Sequence, residues 1–257
     1  GVLYFLQKYV TKRSRQTIDK AGDDWLFHRE NLLPLGKAKL IEFGAGKDLR
    51  QNLYLSQYLG KQTVVDIYPM LDFERLNNVA KQLYLSSLTP RYESVPDISK
   101  LNEIYGIEYI APLDMSESGF PDNGFDCCIS TNTMEHIPKE SIEKILVELK
   151  RVIRTGGVLS IIIDYSDHYA HTDKKITLLN FLMYTENEWE KYNHKCHFQN
   201  RLRHSDYEQL FVENGYKIIS STPKFEEKRP VNISGFMGAH DETLYATAGF
   251  FLLEVIK

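Results

Sequence analysis

The segment "IDYSDHYAHTD" (163–173) holds Asp164, Asp167, His168, His171 and Asp173 within eleven residues. An imidazole beside a carboxylate is a base suited to a hydroxyl near neutral pH. The same side chains can hold a divalent cation that lowers a hydroxyl's pKa. They also suit a polar loop of capping aspartates and exposed imidazoles. A second pair, Glu135-His136, lies about thirty residues upstream, and His136 can position a substrate or simply pack on the next loop.

A different chemistry is written in "LIEFGAGKDLR" (40–50). Gly44-Ala45-Gly46 follows an apolar run, and such a turn lets the backbone approach a ligand closely. The third glycine of a dinucleotide fingerprint is missing, because Leu49 stands in its place. The acid before the turn is Glu42. Asp66 follows the next apolar run, twenty residues after Gly46, where a carboxylate can accept from ribose hydroxyls. Asp114 follows a third run and suits the amino group of a purine.

These residues need a scaffold that brings loop ends together. Apolar runs at 38–46, 63–67, 107–113, 125–131 and 157–164 are too continuous for half-exposed strands, and predict a parallel sheet covered on both faces. Between the fourth and fifth, Ile142, Ile145, Leu146, Leu149, Val152 and Ile153 predict a helix. Pro138 falls in its first turn, Lys150, Arg151 and Arg154 at its end, and Gly156-Gly157 as the stop. Ser205-Asp206-Tyr207-Glu208 opens a later helix that ends at Gly215. Strands at 216–222 and 247–257 complete seven, with the last antiparallel. Residues 165–204 break this rhythm and carry five of the eight histidines. They read as a helical lid inserted over the carboxyl end of the sheet, where ligands bind in open α/β folds.

The 257 residues form one domain on this reading. It comprises an N-terminal helical extension (1–37), a cofactor-binding core (38–164), the lid and substrate insertion (165–204), and a C-terminal helix with two strands (205–257). A net charge of −4 gives no strongly basic field for nucleic acid. Cys127, Cys128 and Cys196 are expected as free thiols in a cytoplasmic protein. The apolar-then-basic order of residues 1–15 reverses that of a signal peptide, so this stretch is expected to pack as a helix and not to contact a membrane surface.

Together, Glu42 with Gly44-Ala45-Gly46, Asp66, Asp114 and "FDCCISTNTMEHIPKESIEKILVELKRVIRTGGVLSIII" (125–163) resemble the class I S-adenosylmethionine-dependent methyltransferases. Asp48 replaces the last glycine of that family's first motif. The resemblance implies a Rossmann-like α/β fold and S-adenosylmethionine as cofactor, with S-adenosylhomocysteine as product. Glu42 and the backbone of Gly44, Ala45 and Gly46 would hold its methionine part, Asp66 its ribose, and Asp114 its adenine amine. Met115 would flank the adenine, and Asn132 would face the sulfonium.

Methylation of a hydroxyl needs a base, and His168 is the first candidate, with His136 as its competitor. Asp164, Asp167, His171, Arg201 and Arg203 are candidate acceptor contacts; arginines suit hydroxyl-rich or anionic substrates. Trp189, Tyr184 and Tyr192 can stack on a ring or pack within the lid. A divalent metal is possible at this loop but not favoured, and no metal ligands are assigned. Some quinone methyltransferases hold a metal near the position of Glu135-His136, but their upstream acid is Asn132 here. His194-Lys195-Cys196-His197 lacks a second ligand pair for zinc. The texture "DHYAH…NFLMYT…W…FQNRLRHSDY" (167–207) is also similar, less specifically, to methyltransferases of bacterial polysaccharide pathways. Thr131-Asn132-Thr133-Met134 stands where enzymes of base or amide nitrogen carry Asn/Asp-Pro-Pro-aromatic, so such acceptors are not expected. The expected activity is O-methylation of a small molecule or sugar. The alternatives are a quinone or aromatic-ring methyltransferase and a non-catalytic cofactor-binding protein. A nicotinamide dehydrogenase is disfavoured by Leu49.

Overall fold

The computed structural model describes residues 24–194, 197–226 and 242–257. Most of the predicted N-terminal extension, Cys196 and most of the 223–245 connection lie outside these residues.

Seven strands form one sheet: β1 (Leu40–Phe43), β2 (Gln62–Val65), β3 (Ile107–Ile110), β4 (Phe125–Thr131), β5 (Ile153–Asp164), β6 (Tyr216–Phe225) and β7 (Ala246–Val255). Their order is β3-β2-β1-β4-β5-β7-β6. The first five are parallel, and β7 runs antiparallel to both β5 and β6. Every residue of β1 and β2 is buried, as a strand covered on both faces requires. Successive side chains feed opposite cores. Cys127 and Ile129 join one apolar cluster with Leu40, while Cys128 joins the other with Ile41.

The first cluster is covered by α1 (Asp24–Leu32), α2 (Arg50–Leu55), α3 (Phe73–Leu85) and α4 (Ile98–Tyr105). The second is covered by α5 (Lys139–Val152) and α7 (His204–Glu213). Between β5 and α7 lies a short α6 (Glu186–Trp189) with 3-10 turns at His168–His171 and Asn180–Met183. This segment has its own apolar cluster of Leu179, Phe181, Leu182 and Trp189, closed by Leu244. Trp189 is buried there, which accounts for it as packing.

Two boundaries differ from the sequence reading. Helix α5 stops at Val152, because Ile153 turns extended and pairs with Phe125 of β4. Ile153 and Arg154 therefore belong to the strand, and Arg154 Nε donates to Asp126 at 2.8 Å instead of serving a helix end. Gly156, with φ +72°, lies within β5 where the register with β4 shifts. Helix α7 starts at His204, not Ser205, because the Asp206 carboxylate accepts from the backbone N–H of Arg203 at 2.8 Å.

Candidate active site

The sheet order reverses between β1 and β4, and the carboxyl ends of strands at such a switch point are where open α/β folds place a ligand crevice. Gly44 and Gly46 have φ of +76° and +74°, so the turn after β1 uses the left-handed region in which glycine is unstrained. A Cβ on Gly44 would collide with the side chain of Thr133, which follows β4. A Cβ on Gly46 would meet open space, so that face of the turn is clear for a ligand. Asp48, at the missing last glycine, contacts both Arg50 at 3.6 Å and Arg75 at 3.3 Å. It ties the turn to α2 and α3.

Two carboxylates line this end. Glu42 on β1 is 1% exposed, and its Oε2 has no hydrogen-bond partner among the described residues. Burial pushes its carboxyl up to about 8. Asp66, just past β2, is raised to about 6 by burial, and its Oδ2 accepts from the Tyr109 hydroxyl at 2.9 Å. Tyr109 escaped the sequence reading. The register pairs it with Val64 across β2–β3, next to the strand end that carries Asp66. Buried carboxylates short of partners fit a ligand that brings a cation and hydroxyls. The residues present thus suit the aminoacyl group and ribose of S-adenosylmethionine.

Other expected cofactor residues fall on the same edge with different surroundings. Asp114 is exposed and accepts from Ser116 N–H at 2.8 Å. Asn132 is exposed with φ +49°, a conformation asparagine tolerates. Met115 is buried in the sheet's second core, so packing accounts for it.

Beside the crevice, the ends of β4 and β5 gather Glu135, His136, Asp164, His168 and His171. Asp164 Oδ2 lies 3.3 Å from His168 Nε2 and 3.8 Å from His171 Nε2. Burial alone would raise the Asp164 carboxyl, but hydrogen bonds from His168 and Ser166 outweigh it and hold it below its usual range. The His136 and His168 rings are 4.8 Å apart. Glu135 is 2% exposed, and burial, with the Asp164 charge second, pushes its carboxyl well above normal. Its burial has no signal in the sequence, since a polar loop residue is ordinarily solvated.

Three expected acceptor contacts are instead structural. Asp167 is fully buried and accepts from Tyr169 N–H at 2.9 Å and Asn180 Nδ2 at 3.1 Å. Arg203 is fully buried and donates to the carbonyls of Leu244 and Tyr165, each at 3.0 Å, and of Ala246. Arg201 donates to the carbonyls of Phe181 and Tyr184 at 2.9 Å and pairs with Glu186 at 2.8 Å. An irregular segment leaves many carbonyls without ladder partners, and these guanidinium groups satisfy them.

Residues 41–161 match the model of the Methyltransferase domain family. These residues carry a methyltransferase domain. No curated protein is a significant match to this methyltransferase. Its fold is shared with solved structures of low identity. A Bacillus halodurans C-125 protein assigned as a methyltransferase is 11% identical with TM-score 0.56, covering 92% of this chain and 100% of its own. The Burkholderia thailandensis 1,6-didemethyltoxoflavin-N1-methyltransferase, solved with its substrate and S-adenosylhomocysteine, is 12% identical with TM-score 0.55 and covers 99% and 87%. A geranyl diphosphate methyltransferase in complex with S-adenosylmethionine is 13% identical with TM-score 0.54 and covers 91% and 85%. No described helix of the methyltransferase is long and apolar enough to cross a membrane.

Proposed function

We propose that this methyltransferase transfers the methyl group of S-adenosylmethionine to a hydroxyl oxygen of a small molecule or sugar. The observation that carries the reading is the Asp164–His168 contact at 3.3 Å, beside His136, at the strand ends next to the cofactor crevice. The sulfonium is already an activated leaving group, so positioning supplies much of the rate. The acceptor's proton is what remains to be dealt with, and the histidine–carboxylate cluster takes it up. Glu42 and the turn from Gly44 through Gly46 hold the methionine part, Asp66 the ribose and Asp114 the adenine amine, with Asn132 toward the sulfonium. His168 and His136 contact the acceptor, and residues 165–204 fold over it as a lid.

The test is His168→Ala and His136→Ala, each assayed with labelled S-adenosylmethionine against a panel of sugar and phenolic hydroxyls. His168→Ala lowers turnover by roughly 10²–10⁴-fold, the range for loss of proton transfer, with cofactor affinity unchanged. Full activity in both variants sinks the assignment.

A further inference from the structure

His28 is a fully buried histidine outside the histidine–carboxylate cluster. It lies on α1, which already has buried apolar anchors in Trp25 and Leu32. A buried imidazole needs hydrogen-bond partners, and His28 has two. Its Nδ1 lies 2.8 Å from the Ser160 hydroxyl on β5, and its Nε2 lies 2.9 Å from the Thr131 hydroxyl at the end of β4. Asn31, on the same helix, donates from Nδ2 to the Ser160 hydroxyl at 2.9 Å. Burial pushes the imidazole down to about 3, so the ring is neutral near pH 7. One of its nitrogens then donates and the other accepts.

The buried end sets the direction of this chain. An amide nitrogen only donates, so Ser160 accepts from Asn31. Among the described residues, the Ser160 proton has His28 Nδ1 as its one acceptor. Ser160 is fully buried, and the opposite order would strand its proton away from water without a partner. Nδ1 therefore accepts, Nε2 carries the ring proton, and Nε2–H donates to Thr131 Oγ1. The Thr131 hydroxyl proton is left over, at a residue that is only half-buried.

That residue stands on the cofactor edge. The register sets Ile129 of β4 opposite both Glu42 of β1 and Ser160 of β5. Side chains opposite one another, or two apart along a strand, share a face. Glu42, Ser160 and Thr131 thus share one face of the sheet, the one α1 covers. The same register carried two residues further places Thr131 beside Gly44. The Thr133 hydroxyl donates to the carbonyls of both, at 3.0 Å to Gly44 and 3.1 Å to Thr131.

We propose that the Thr131 hydroxyl, held as a donor by His28, binds the carboxylate of the cofactor's methionine part, while Glu42 takes its ammonium. The proposal rests on the reading of this crevice as the S-adenosylmethionine site. A hydroxyl donating to a carboxylate makes a charge-assisted hydrogen bond, among the stronger kinds. His28 is then a positioning residue. It touches no ligand, but it occupies Thr131 Oγ1 from behind, so that the hydroxyl meets the ligand with its proton. In the opposite orientation Thr131 would present a lone pair, which repels a carboxylate. Helix α1 thereby takes part in cofactor recognition from the far side of β4.

The experiment is calorimetry on the full chain with two ligands, S-adenosylhomocysteine and its decarboxylated analogue, which keeps the ammonium. Wild type prefers the ligand with the carboxylate. Thr131→Val keeps the shape and removes the hydroxyl. It weakens S-adenosylhomocysteine by about tenfold or more and leaves the analogue within about twofold, as loss of one hydrogen bond to a charged group requires. Thr131→Ser keeps the hydroxyl and the wild-type preference. His28→Leu narrows the preference as Thr131→Val does, and His28→Gln, whose amide again offers an N–H to Thr131, restores it. A general loosening of the fold weakens both ligands alike, so the ratio of the two affinities reads the hydrogen bond itself. An unchanged ratio in Thr131→Val or in His28→Leu, with S-adenosylhomocysteine bound by wild type, overturns the proposal and leaves the cofactor reading standing. Failure of wild type to bind S-adenosylhomocysteine overturns that reading and the proposal together.

Discussion

The hydroxyl of Thr133 donates to the carbonyl of Gly44 at 3.0 Å, joining the turn after β4 to the turn after β1 across the topological switch point. The two halves of the crevice are therefore in contact. Any side chain on Gly44 would strike Thr133.

Gly44→Ala meets this collision and also the strain of a left-handed φ. It should cost about 1–3 kcal/mol of stability, read by denaturant melts. It should also weaken S-adenosylhomocysteine at least tenfold. Gly46→Ala, with the same hand of φ but open space, should lose binding with a smaller loss of stability.

Cofactor binding should depend on pH through Glu42 and Asp66. Both are raised by burial, to about 8 and about 6. The ligand's ammonium and hydroxyls favour their ionised forms, so affinity rises with pH through about 6 and levels off above about 8. Without cofactor the sign for folding is opposite. Between the ordinary 4.5 and about 8, native Glu42 keeps a proton that the unfolded chain has released, so stability falls as pH rises. Calorimetric titrations and melts across this window check both slopes. Glu42→Gln should flatten the upper limb of each, and unchanged slopes in that variant would remove Glu42 as their origin.

Arg203→Met should destabilise the protein by about 3 kcal/mol or more. It removes the donors of three carbonyls from a fully buried position. A substrate-binding arginine would instead raise KM with little change in Tm. A large fall in Tm with KM unchanged at permissive temperature is the expected result.

The sheet was legible because parallel strands buried on both faces leave continuous apolar runs, as at Leu40–Phe43 and Phe125–Thr131. The cofactor edge was legible because glycine turns and strand-end acids fall at fixed offsets along the chain. Arg154 was misplaced because a helix running directly into a strand leaves no break in the apolar pattern. Arg201, Arg203 and Asp167 were misread for a shared reason. In a segment with little regular structure, charged side chains that hold the backbone look the same in sequence as those that hold a substrate. The burial of Glu135 brings it beside Asp164 at the end of β5, a contact between distant segments that no local pattern encodes.

The central claim is that the crevice at the ends of β1, β2 and β3 takes S-adenosylmethionine and not a dinucleotide. Isothermal calorimetry of the full chain with S-adenosylhomocysteine and with NAD, on wild type and Asp66→Ala, tests it most directly. The account predicts one S-adenosylhomocysteine per chain, weakened by about 1–3 kcal/mol in Asp66→Ala, the range for hydrogen bonds to a charged group, and no NAD binding. Saturable NAD binding without S-adenosylhomocysteine binding, or an affinity indifferent to Asp66, would contradict it.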